Sequence, residues 1–360
     1  MTSPGRRCRR LGLTPPLSRD RLGLAFPLTR DRRRLAPGLT LLVAIVVTAL
    51  PACGGSQAGP SGSPSAVPPG AAFQPYRFVR AWGARGVAPG RFIMPKGVAV
   101  DDAGFVYVAD FGNSRVQKFT ASGRLVTVWG DHGERPGEFR GASRVAVGGQ
   151  GLVYVTDAYN HRVQAFTSDG AFVSAWGSEG GGDGQFRTPR GIAVGSDGSV
   201  YVGDDEDDRI QRFTADGRFV SSWGETGGLP GRFREPKDLA VGPDGRLYVA
   251  DAGNERVQVF TADGRFITAI GGRGDGLGEF REPRGIAVGE DGVVYVADFR
   301  GQRIQEFSPT YEPLGFWGHP GDAPGALDGP RGIALGTGGR LYLADMMNHR
   351  IQCFAPAGPP

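Results

Sequence analysis

Only three cysteines occur in 360 residues, at positions 8, 53 and 353. Two of them fall within the first 53 residues, so Cys353 stands alone in the remainder. Neither a disulfide nor a cysteine-built zinc cluster can form there. Apolar runs of membrane-spanning length are also missing. The run from Leu39 to Leu50 covers 12 residues, whereas a spanning helix needs about 20. The glycine-rich stretches, such as Gly180-Gly181-Gly182, join strand-like runs and never open a helix, which excludes a phosphate-binding loop, and nothing resembles a nucleophile elbow. A basic excess is missing as well, despite the overall charge of +4. Residues 1–53 hold ten Arg and two Asp, and the rest carries 31 basic and 35 acidic residues, a net −4. That balance removes the electrostatic footprint expected of a nucleic-acid partner.

The basic surplus belongs to the N-terminus. An Arg-rich stretch ending in Arg32-Arg33-Arg34 precedes the short apolar run, and Leu50-Pro51-Ala52-Cys53-Gly54-Gly55 follows it. This order suits an export signal. It resembles the lipobox of bacterial lipoproteins, which implies cleavage before Cys53 and acylation of that cysteine. A plain secretory signal and an uncleaved anchor are the alternatives, and the general and twin-arginine export routes both stay open. Residues 53–75 are rich in Gly, Ser, Pro and Ala without periodicity, as in a flexible disordered tether. The expected organisation is a signal peptide over 1–52, a tether over 53–75 and one folded domain over 76–360. The expected location is the extracytoplasmic face of the cell membrane, with the lipid anchor as the only membrane contact.

The folded part is periodic. Tyr107-Val108-Ala109-Asp110 recurs with its aspartate at 110, 157, 204, 251, 298 and 345, a step of 47 residues throughout. Trp82, Trp129, Trp176, Trp223, Ile270 and Trp317, each followed by Gly, keep the same step. Each unit holds four short runs of strand-forming residues separated by turn pairs such as Asp244-Gly245 and Asp263-Gly264. Four strands per unit at this period predict propeller blades. The run Pro-Arg-Gly-Ile-Ala-Val, then Tyr-Val-Ala-Asp, then Asn-x-Arg-Ile-Gln-x-Phe resembles the NHL repeat. The chain is expected to be an all-β, six-bladed propeller with four antiparallel strands per blade. It begins with a lone fourth strand (76–82) and finishes on a third strand, so the N-terminal strand should close the last blade and leave no open edge.

Symmetry separates scaffold from site. The aspartate, the arginine five positions later (Arg115 to Arg350) and the glutamine two further on (Gln117 to Gln352) occur in all six units and read as hydrogen bonding between blades. At the start of the first strand stand Lys96, Arg190, Lys237, Arg284 and Arg331, with Ser143 in the sixth place and Arg144 beside it. These cations should ring one mouth of the central channel, either paired with the nearby aspartates or open to an anion. The loop after each aspartate diverges. Its first two residues are Phe111-Gly112, Ala158-Tyr159, Asp205-Glu206, Ala252-Gly253, Phe299-Arg300 and Met346-Met347. Exposed aromatics and methionines on loops suit a binding surface. The candidate ligand-binding set is therefore Lys96, Phe111, Tyr159, Arg190, Glu206, Lys237, Arg284, Phe299, Arg300, Arg331, Met346 and Met347.

No catalytic residue is assigned and no cofactor is expected. His161 and His349 fill a slot held elsewhere by Ser114, Asp208, Glu255 and Gln302, which favours a turn role. His132, His161 and Asp207 form the weak candidate for a divalent metal. The preferred expectation is a monomeric, non-catalytic binding or scaffold module for an envelope protein, peptide or glycan, with no nucleic-acid partner. The alternative is a metal-assisted lyase or hydrolase of the propeller type.

Overall fold

The computed structural model describes residue 73 and residues 75–358. The expected signal peptide, the lipidation site Cys53 and nearly all of the tether lie outside the described residues.

Six four-stranded antiparallel sheets make up the described chain. Blade 1 runs Pro95–Val100, Val106–Asp110, Arg115–Phe119 and Leu125–Trp129, in spatial order from the axis outward. Blades 2 to 5 repeat it. Valine, isoleucine and the aromatics supply strand propensity, and Gly at the hairpins accepts the left-handed backbone. At Asp291-Gly292, for example, Gly292 has φ +79° and its N–H bonds the Gly289 carbonyl at 2.9 Å.

Blade 6 combines both ends of the described chain. Pro330–Gly336, Arg340–Asp345 and Arg350–Pro356 are its inner strands, and Tyr76–Trp82 is its outermost. The closing pair runs from Tyr76 opposite Pro356 to Trp82 opposite Ile351. The core is correspondingly six wedges, one between each pair of neighbouring blades, including blades 6 and 1. Both faces of each second strand are covered, so Val106, Tyr107, Val108 and Ala109 are all fully buried. That is the reason these strands read as unbroken apolar runs without alternation.

The repeated Asp, Arg and Gln hold each interblade strap to the blade that follows it. Asp110 accepts the Ile93 N–H (2.8 Å), Asn113 Nδ2 (2.8 Å), Arg115 Nε (2.9 Å) and Gln117 Nε2 (3.0 Å). Arg115 then donates to the carbonyls of Val87, Ala88 and Arg91. The same pattern returns at Asp157, Asp251 and Asp345. Four charge-assisted knots of this kind, at Asp110, Asp157, Asp251 and Asp345, fix loops on one face.

Candidate functional site at the loop face

The face carrying the loops after the second strands lies at the start of the innermost strands. Each innermost strand begins with a register shift, as between Pro95 and Gly97 or Pro283 and Gly285. Such a shift leaves an extra residue that re-aims its side chain. Lys96 and Arg284 are the displaced residues. This local geometry turns the repeated cations toward the loops of the same face.

There Lys96, Arg190, Arg284 and Arg331 meet the loops of their own blades, and Lys237 meets the loop of blade 3. The Lys96 amine sits 2.9 Å over the Phe111 ring, and the Arg284 guanidinium 3.8 Å over Phe299. Arg190 and Lys237 share Asp205, at 2.5 and 2.6 Å. Lys237 also reaches Glu235 at 2.8 Å, and Arg284 bonds Glu282 at 2.6 Å. Arg331 is buried, has the Met346 sulfur 3.5 Å away and leaves its Nε without a partner. Burial first, then Arg331, Arg190, Arg144 and Arg284, pushes the Lys96 amine down to about 4. Only two of the five cations therefore pair with an aspartate.

Of the twelve candidate residues, the structure puts Lys96, Lys237, Arg331 and Met346 beneath the surface. Arg190, Arg284, Phe111 and Phe299 are half-buried, and Tyr159, Glu206, Arg300 and Met347 are exposed. Phe111 and Tyr159 pack edge to face with centroids 5.9 Å apart. Phe299 and Met347 both flank Gly329, where a Cβ would meet them at 2.7 and 3.0 Å. The surface is thus an apolar arc on blades 5, 6, 1 and 2, with the exposed Glu206 and the half-buried Asp207 on blade 3 and Arg300 at the blade 5 edge.

Two residues missed as a pair close the axis. After the cation, the six units read Gly97, Arg144, Gly191, Asp238, Gly285 and Gly332. Arg144 Nε lies 3.0 Å from Asp238 Oδ1, and the same guanidinium donates to the carbonyls of Lys96 and Arg284. A Cβ on Gly332 would sit 3.0 Å from it. Arg144, from blade 2, therefore touches blades 1, 4, 5 and 6. Burial raises Asp238 to about 6 while Arg144 pulls it back. The glycines are required by close approach, since a Cβ on Gly97 would lie 2.8 Å from the Arg144 Cα. The signal was present in the sequence: two non-glycine residues of opposite charge in a six-fold glycine column.

The histidines sit at turns. His161 and His349 have φ of +55°, like Ser114, Asp208, Glu255 and Gln302 in the same slot. His349 Nδ1 accepts the Met94 N–H at 3.0 Å, and His161 Nδ1 lies 2.5 Å from the Arg187 carbonyl. His132 Nδ1 is 3.4 Å from the Ser114 hydroxyl, and Asp207 pairs with Arg187 at 2.6 Å. Among the described residues no three His, Cys, Asp or Glu side chains converge in a way that could hold a metal ion.

Ring closure, blade number and strand count define the class: this is a six-bladed β-propeller. Residues 92–119, 139–166, 186–213 and 327–354 match the NHL repeat, and residues 232–323 match a 6-bladed beta-propeller family. The chain is therefore a six-bladed propeller that carries NHL repeats. No curated protein matches it. Among solved structures it resembles a protein of unknown function from Bacteroides thetaiotaomicron (21% identity, 79% of this chain and 76% of that one, TM-score 0.60). It also resembles a gluconolactonase from Xanthomonas campestris (15%, 78% and 97%, 0.57). A third is virginiamycin B lyase from Staphylococcus aureus (18%, 72% and 94%, 0.52). At these identities the likeness concerns the fold alone.

Proposed function

We propose that this propeller is a binding module outside the cytoplasm, tethered to the membrane through Cys53, which takes a protein, peptide or glycan of the cell envelope on its loop face. The observation that carries the reading is the departure from six-fold symmetry. Scaffold residues repeat in every blade, whereas the outward loop residues are Gly112, Tyr159, Glu206, Gly253, Arg300 and Met347. Two of these, Tyr159 and Met347, expose about half of a large apolar side chain (49% and 48%). An apolar arc rimmed by one acidic and one basic sector has the make-up of a recognition patch. Since Arg144 and Asp238 block the axis, a partner would rest on the face and not thread through the ring.

The test is a binding titration of the immobilised chain against envelope proteins, peptidoglycan fragments and polysaccharides. The expected result is saturable binding that Phe299→Ala with Arg300→Ala weakens at least tenfold, equivalent to about 1.4 kcal/mol. Val220→Ala, on an exposed outer strand, should leave it unchanged. Retention of full affinity by the double variant would move the site elsewhere. The alternative of a metal-assisted lyase or hydrolase is supported only by a fold shared with such enzymes.

A further inference from the structure

The opposite end of the axis also holds open space. Two cavities of about 490 and 580 Å³ lie where the innermost strands end, and both are lined by Val100, Asp101 and Asp102. Their apolar walls come from equivalent positions in successive blades: Val100, Val147, Val194, Val288 and Leu335. Asp101, Asp102, Glu290 and Asp291 stand among the lining residues, and no lysine or arginine does. Asp101 is engaged, accepting the Phe105 N–H and the Tyr107 hydroxyl, both at 2.8 Å. Asp291 accepts the Val293 N–H at 3.1 Å. Asp102 and Glu290 are exposed beside the apolar wall.

The ring seam shapes this end further. Tyr154, Tyr201 and Tyr342 each send the hydroxyl to a carbonyl in the hairpin between third and fourth strands of the next blade, and the Tyr107 hydroxyl, which donates to Asp101, lies 3.4 Å from the equivalent carbonyl. Tyr295 faces blade 6, whose fourth strand comes from the start of the described chain, so that hairpin does not exist. Its hydroxyl meets Tyr76 instead, at 3.2 Å, and both tyrosines line the 490 Å³ cavity. The missing hairpin thus places Tyr76 of the closing strand against Tyr295, much as Tyr311 packs on Tyr248 at the preceding junction with ring centroids 6.3 Å apart. Deeper along the axis, about three strand residues below Val100 or roughly 10 Å, lies the Arg144–Asp238 pair.

We propose that this funnel binds a small amphiphilic cation, with its apolar body against the Val100, Val288 and Leu335 wall and its ammonium at the rim beside Asp102 and Glu290. The orientation follows from the charges. Exposed carboxylates stand among the lining residues, the arginine lies deeper along the axis, and Tyr76 and Tyr295 offer ring surfaces to a cation. An anion would meet four carboxylates on the way in, and a neutral body would forgo the rim attraction. A free amine and the lysyl side chain of a peptide share this chemistry.

The experiment is calorimetric titration of the full chain with phenethylammonium, 2-phenylethanol and 3-phenylpropionate, and with a capped Phe-Lys dipeptide to tell the free amine from the lysyl source. Saturable binding of phenethylammonium or the dipeptide is expected, with 3-phenylpropionate at least tenfold weaker. Asp102→Asn with Glu290→Gln should lower amine affinity about tenfold, as loss of two partly screened pairings implies, and leave 2-phenylethanol unchanged. Both positions are exposed, and an unaltered melting temperature certifies the fold. Leu335→Arg, which places a cation in the wall, should abolish amine binding. Phe299→Ala with Arg300→Ala should not affect it, so this site and the loop-face reading fail separately. Absence of saturable binding by either cation, equal binding of 3-phenylpropionate, or wild-type affinity in the Asp102/Glu290 variant would each overturn the proposal.

Discussion

Lys96 stands in a strand bulge with its amine over the Phe111 ring, surrounded by arginines rather than carboxylates. Its pKa falls from 10.5 in the unfolded chain to about 4 in the fold. Between those values the unfolded chain holds a proton that the folded one has released, so this residue makes stability rise with pH across the window. Replacing it with Met, which keeps the length and the apolar contact with Phe111, should remove that slope. It should also stabilise the protein at pH 7, by up to about 5 kcal/mol, because folding no longer has to strip the proton that the unfolded lysine holds there. Denaturant unfolding at several pH values checks this, and an unchanged slope would show that the Lys96 environment is wrongly described. The presence of a cation here was legible, because it repeats. Its environment was not, because Phe111 lies fifteen residues away and only the bulge brings the two together. The Arg144–Asp238 pair was hidden for a related reason. The two residues are 94 positions apart in sequence, and nothing but the ring places them across one axis.

At the level of the strand, the closing blade is where the protein departs from its own pattern. The fourth position of the third strand is Lys118, Ala165, Arg212, Val259, Glu306 and Cys353 in turn. Glu306 is buried and accepts the Trp317 Nε1–H at 2.8 Å. Trp317 is in turn stacked on Tyr76 of the closing strand, centroids 5.3 Å apart. Burial, with Asp291 adding to it, lifts the Glu306 carboxyl from 4.5 to about 7, against the hydrogen bond from Trp317. Within that window the fold keeps a proton that the unfolded chain has lost, so stability falls as pH rises from about 4.5 to 7. The limiting size is about 3 kcal/mol. Glu306→Gln should flatten this fall, which urea unfolding between pH 4.5 and 8 would measure. A decline of equal size in the variant would place the proton elsewhere. The closing strand itself was readable from the order of the runs, since a fourth strand comes first and a third comes last. Its aromatic clasp with Trp317 and Tyr295 was not, because it needs the two ends of the described chain to meet.

The described chain is a ring of six blade interfaces, and its described ends are neighbours. Tyr76 pairs with Pro356, and the Ala357 N–H bonds the Pro75 carbonyl at 2.9 Å. Adjacent termini at a surface are the condition under which circular permutation is tolerated. Joining residue 358 to residue 75 by a short glycine linker and opening the chain after Gly130 should give a folded propeller. Its melting temperature is expected within about 3 °C of the parent, the shift produced by roughly 1 kcal/mol in a domain of this size. Thermal unfolding and small-angle scattering would show it, and a loss of cooperative unfolding would mean that one blade junction outweighs the rest. The scale of the ring also explains the division of its two ends. One end collects the cations and the variable loops, the other the carboxylates and an open funnel, and Arg144 separates them.

The sequence by itself determined the blade count, the four strands of each blade, the closure of the last blade and the residues that repeat as scaffold. These follow from a 47-residue period and from turn and strand chemistry that act locally. Tertiary structure decided what faces the axis, which cations are capped by Phe111, Phe299 or Met346, and where space remains. Those outcomes depend on six innermost strands converging so closely that glycine is needed at four positions and a single Arg–Asp pair fills the other two, and no local pattern carries that distance.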